Sequence, residues 1–144
     1  MRAILLLIVF FVLSSSANKE AQELRVQILG ALAHTVTTKD IPFVYLDDQN
    51  FKNFNTKKYG FMLVQQCDRA DVIFTDDVTA LVKKCPQIKN KKLFALSYKD
   101  YAAHENQAIG AFFWQKGRPN IILNKKLLQH YDIKLSQRYE KYVE

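Results

Sequence analysis

Only four glycines occur among the 144 residues, and none lies in a GxGxxG, Walker or GxSxG arrangement. That scarcity argues against a glycine-rich loop cradling phosphate. The three histidines, His34, His104 and His130, are far apart and form no HExxH or comparable pattern, so they read as surface or helix-end residues. Two cysteines, Cys67 and Cys85, stand eighteen positions apart with no histidine at ligand spacing, which makes no metal motif. With no internal repeat, low-complexity tract or linker, a single domain is expected, with no catalytic residue, no metal and no cofactor.

What is present begins with the N-terminus. Arg2 gives a positive start, Ala3 to Leu13 is an uncharged apolar run, and Ser15, Ser16 and Ala17 supply small residues for a peptidase. The expectation is a signal peptide over 1–17, cleaved after Ala17, and a domain over 18–144. The apolar run covers 11 residues. A membrane-crossing helix needs about 20, so no stable membrane insertion is expected after cleavage. Export places the chain in the periplasm.

The full chain carries a net charge of +7, and loss of the leader, with its single base, leaves +6. Outside the cytoplasm such a charge meets lipid head groups, cell-wall polymers and acidic protein surfaces, not nucleic acid. The lysines are scattered in short groups, among them Lys57 and Lys58, Lys83 and Lys84, and Lys125 and Lys126. Such dispersal reads as a solvated surface. A composition of 49% hydrophobic and 12% aromatic residues is enough to build a core without metals or disulfides.

The patterning alternates strands and helices. Lys19 to His34 predicts a helix with Leu24, Ile28, Ala31 and Leu32 as its apolar stripe, and Gly30 inside it marks close packing or an early end. Strands are predicted at Phe43–Leu46, Gly60–Gln65, Asp71–Thr75, Leu93–Ser97, Ala108–Trp114 and Asn120–Leu123. Helical segments fall between them. Phe51 and Phe54 suit one helical turn pressed on the core. A helix from Val78 ends near Cys85 ahead of Pro86, Asn124 caps another through Tyr131, and Ser136 caps a last one reaching Val143. The unalternating Val-Ile-Phe run of the third strand implies burial on both faces. The fold class is therefore α/β, a mainly parallel sheet flanked by helices, with a C-terminal antiparallel hairpin turning at Lys116 and Gly117.

Three groups of residues are candidates for function. An oxidising compartment favours a disulfide between Cys67 and Cys85, worth about 3 kcal/mol in the chain-entropy model; two separate buried thiols are the alternative. Asp76 and Asp77 stand at the carboxyl end of the third strand, where open α/β sheets collect ligands, although adjacent aspartates also stabilise the start of a helix. Trp114 ends the fifth strand beside Gln115, Lys116 and Arg118. Strict alternation places Ile109, Ala111 and Phe113 on one face and Gly110, Phe112 and Trp114 on the other. Trp114 is then either core bulk or, with Lys116 and Arg118, the anchor of a protein contact surface.

Over its C-terminal part the chain resembles the YfiR-like family of small periplasmic regulators. The resemblance rests on Gly110 to Trp114, Gly117 with Arg118, Ile121 to Asn124, Lys125 to Tyr131, and the stretch Ile133, Lys134, Leu135, Ser136. The chain departs from the family in having Asp132 where a glycine precedes that stretch, a shorter strand-to-strand turn, and two cysteines where the family has two disulfides. The resemblance implies a non-enzymatic protein that binds the periplasmic domain of an inner-membrane signalling protein, such as a diguanylate cyclase, and restrains it. It also admits a homodimer. The alternative function is a small periplasmic solute-binding module using a cleft at Asp76 and Asp77.

Overall fold

The computed structural model describes residues 2–48 and 54–144, with side chains described from residue 18 onward. Six strands form one sheet in the order β2-β1-β3-β4-β5-β6, built from β1 (Phe43–Leu46), β2 (Met62–Leu63), β3 (Val72–Thr75), β4 (Lys92–Ala95), β5 (Ala108–Gln115) and β6 (Arg118–Leu123). The strands from β2 to β5 are parallel and β6 is antiparallel to β5. Helices α1 (Arg2–Val36), α2 (Val78–Lys84), α3 (Tyr98–Ala103), α4 (Lys125–His130) and α5 (Gln137–Glu140) flank it. This is the α/β architecture expected from the patterning. Phe51 lies outside the described residues, Phe54 packs half-buried on the core, and the segment that follows is a 3-10 turn, Thr56–Tyr59.

One face of the sheet carries α1 and the C-terminal elements, with Val26, Leu29, Ala33 and Val36 of α1 packed over Val44, Val72, Phe74 and Phe94. The buried stripe of α1 is thus rotated from the one predicted: of Leu24, Ile28, Ala31 and Leu32, only Leu32 is fully buried, and Leu24 is exposed. The helix is apolar enough to offer two overlapping stripes, and contact with the chain beyond it selects one. Gly30 lies so close to the next segment that a Cβ there would stand 2.8 Å from the Tyr59 carbonyl oxygen and 2.9 Å from Phe61 Cδ1. The glycine lets the helix approach, and the buried residues are its neighbours along that stripe.

The opposite face is covered unevenly. Helix α2 buries Val78 and Leu81 against Ile73 and Leu93, and α3 places Tyr101 against Ala95, Ala108 and Ala111. No helix connects β2 to β3; a 3-10 turn at Cys67–Arg69 does so, leaving Phe43 and Met62 exposed side by side on β1 and β2. β3 is buried along its length, as its unalternating sequence requires.

Alternation fails in β5. Leu93 pairs with Ala108 but Phe94 with Gly110, a register shift that turns Ile109 into the α1-side core with Phe112, while Ala108, Ala111 and Phe113 face α3. The predicted grouping of Ile109 with Ala111 and Phe113 is corrected by this bulge, because one extra residue reverses the side-chain parity.

Asn124, almost fully buried, holds the junction of β6 and α4. Its Oδ1 accepts from Leu127 N–H as the helix cap, and its Nδ2 donates to the Glu105 carbonyl oxygen at 2.7 Å. The last helix is shorter than predicted, and beyond it the chain runs beside β6. There Leu123 N–H donates to the Tyr142 carbonyl and Glu144 N–H to the Leu123 carbonyl.

Candidate functional site

The β5–β6 hairpin extends past the parallel sheet. β4 stops opposite Ala111, so residues 112–115 and 118–121 form a two-stranded ribbon beyond it. Lys116 and Gly117 close the ribbon with φ of 51° and 73°, the two positive values of the tight turn that matches strand twist. Trp114 is 42% exposed and meets only the edge of Phe112 among ring contacts described, at 6.2 Å between centroids. The core reading of Trp114 therefore does not hold. The structure brings Trp114, Lys116 and Arg118 to one tip but divides them: Trp114 faces the same side as its partner Pro119, while Arg118 shares the other side with Gln115. Neither Lys116 nor Arg118 has an ion-pair partner among the described residues.

The other side of the ribbon carries a further aromatic pair that sequence patterning did not mark. Tyr98, which follows the Ser97 cap of α3, is more than half exposed and lies 6.0 Å from the Phe113 ring. Only the pairing of β4 with β5 brings these two residues together.

Asp76 and Asp77 do lie at the carboxyl end of β3, beside the point where the chain, having left β1 for β2, returns to β3. Asp77 is committed to structure: its Oδ1 accepts from Ala80 N–H at 2.8 Å and caps α2. Asp76 is exposed. The crevice is held by a residue not predicted, Asp47, whose carboxylate faces Lys84 Nζ at 3.4 Å and accepts from the Tyr45 and Thr75 hydroxyls at the same distance. The Tyr45 hydroxyl first, and the Asp47 carboxylate second, hold the Lys84 ammonium above the ordinary lysine range. Among the described residues no group of three or more histidine, cysteine, aspartate or glutamate side chains could hold a metal ion.

Cys67 and Cys85 are joined, with Cα atoms 6.2 Å apart. The bond ties the 3-10 turn before β3 to the end of α2. Beside it opens a cavity of about 470 Å³ whose floor is Tyr45. Gln65, Gln66 and Asp68 line one wall, and Lys84, Pro86 and Gln87 the other. A second groove, of about 400 Å³, takes Lys134 and Ser136 with His34 and Arg138, while Ile133 and Leu135 of the same stretch pack on the core.

Thr79, His104 and Asp100 also meet. His104 Nε2 is 3.1 Å from Thr79 Oγ1 and its Nδ1 is 3.2 Å from Asp100 Oδ1. The order hydroxyl, imidazole, carboxylate is that of an acyl-transfer relay. Here Asp100 gives its other oxygen to Val78 N–H, and His104 Nδ1 also meets the Asp100 carbonyl at 2.9 Å. The group therefore fastens the first turn of α2 to the last of α3.

No family model matches the chain, and no curated protein does. Among solved structures the chain is similar to a conserved domain protein from Vibrio cholerae O1 biovar El Tor, with a TM-score of 0.55 and 11% identity over 82% of this chain. The chain spans 58% of that protein's length. The likeness is one of fold. The disulfide is consistent with an oxidising compartment outside the cytoplasm. Among the described residues no helix is long and apolar enough to cross a membrane.

Proposed function

We propose that this chain is an exported, non-enzymatic regulator of the YfiR-like kind, which binds and restrains the periplasmic part of a membrane signalling protein such as a diguanylate cyclase. The observation that carries this reading is the hairpin tip: an exposed tryptophan and two cations without an ion-pair partner among the described residues, on a ribbon that projects from a packed sheet. Tryptophan and arginine dominate binding energy at protein contacts, and an acidic partner surface would complement Lys116 and Arg118. Restraint requires more than binding. The regulator must hold the inactive state of its partner more tightly than the active one, since equal affinity shifts no population. The alternative, solute capture at Asp76 and Asp77, is weakened by the capping duty of Asp77.

Photo-crosslinking from position 116 in the native envelope tests the reading. The expected adduct is an inner-membrane protein with a periplasmic domain. Trp114→Ala should weaken capture roughly 30-fold, the size of a hot-spot loss. Its melting should change by no more than about 1 kcal/mol of stability, because the side chain is 42% exposed at the hairpin tip and its ring contact is with the edge of Phe112. Absence of an adduct, or a Trp114→Ala variant that no longer folds, would overturn the proposal.

A further inference from the structure

The cavity beside the disulfide opens where the short β2-to-β3 connection meets the end of α2, above the buried Tyr45. Its walls are two chain segments cross-linked by Cys67–Cys85, so their backbones are held together before any ligand arrives, which lowers the ordering cost of binding. At about 470 Å³ it lies within the range of small-molecule sites, roughly 300–1,000 Å³.

Its charge balance differs from that of the whole chain. The protein carries +7 overall, yet the cavity holds one cation and one anion, Lys84 and Asp68, and Lys84 is already matched by Asp47. The remaining polar groups are the carboxamides of Gln65, Gln66 and Gln87, each able both to donate and to accept. Such a set cannot compensate a net charge. A zwitterion is no better served, because its carboxylate would compete with Asp47 for the single ammonium. Carboxamides suit hydroxyl and amide groups, and Pro86 with the Cys67 side of the disulfide offers apolar surface to C–H faces. From this geometry we infer that the cavity binds an uncharged saccharide.

The same chemistry could be presented by a free sugar or by the glycan of a wall polymer. The test uses the full exported chain with its disulfide intact, titrated with N-acetylglucosamine, with its linear tetramer, and with glutamate and phosphate as charged comparators. Saturable sugar binding at millimolar concentration or below is expected, with shifts in the Tyr45 ring signals. Gln65→Ala combined with Gln87→Ala should weaken it about tenfold, the loss expected for two or more hydrogen bonds, with an unchanged melting temperature. Tighter binding of the tetramer and cosedimentation with purified sacculi identify a polymer; equal affinities without cosedimentation identify a free sugar. No saturable binding, preference for glutamate or phosphate, or affinity undiminished in the double variant would overturn the inference. Trp114→Ala should leave sugar binding unchanged, because the hairpin lies at the other end of the strand order, so loss of the partner reading would not remove this one.

Discussion

Gly110 shows how one missing side chain sets the geometry around it. A Cβ there would stand 2.3 Å from the Ile122 carbonyl oxygen and 2.8 Å from Phe94 Cε1, and the first of these is backbone that cannot turn aside. Gly110→Ala should therefore cost about 3 kcal/mol and lower the melting temperature by roughly 10 °C, read by calorimetry. Glu23 gives a pH-dependent test. Hydrogen bonds from Lys58, and then from the Tyr59 hydroxyl at 2.7 Å, hold its carboxyl below the ordinary glutamate range. A depressed folded-state pKa contributes stability that is present above the unfolded value and lost as pH falls through the folded one. Melting curves between neutral and acidic pH should show a smaller acid loss in Glu23→Gln than in the parent. An equal loss in both would remove Glu23 from the account. At this scale the sequence was a fair guide where a residue acts on its own backbone, as Asn124 does in capping α4. It was a poor one where the partner is remote: nothing near Asp47 announced Lys84, 37 positions away.

Among the elements, the disulfide and the hairpin carry the local constraints. Cys67 and Cys85 close a loop of 18 positions between the turn before β3 and the end of α2. Replacing both by serine should cost about 3 kcal/mol in urea unfolding, and added reductant should bring the parent to the stability of the variant. A parent indifferent to reductant would mean that the bond forms no part of its stability. Strand and helix order were legible because glycine, proline and capping residues punctuate the apolar runs. Side-chain parity in β5 was not, since the bulge at Ile109 answers to the register of β4 and leaves no mark in its own residues. The orientation of α1 escaped for a related reason: two apolar stripes satisfy the same period, and the contact of Gly30 with Tyr59 and Phe61 chooses between them.

For the molecule as a whole, the open question in any sheet is its edges. The final residues lie beside β6, and three backbone hydrogen bonds, Leu123 to Tyr142, Lys125 to Glu144 and Glu144 to Leu123, join them. Pro119 blunts the rest of that edge because it has no N–H to offer. A variant lacking residues 142–144 should lose about 2–3 kcal/mol and gain a tendency to associate, measured by urea unfolding and sedimentation. Unchanged stability together with a monomeric variant would show that the tail contributes nothing to the edge.

The sequence by itself determined the α/β class, the order of strands and helices and the tight turn at Lys116 and Gly117, because periodicity and turn chemistry are local properties. Only the tertiary structure decided that Trp114 stands in solvent, that Trp114 and Arg118 face opposite ways, and that three glutamines gather beside the disulfide. Those outcomes depend on which strand ends first, how two strands register and where a helix is missing, and each is fixed by residues far apart in the chain.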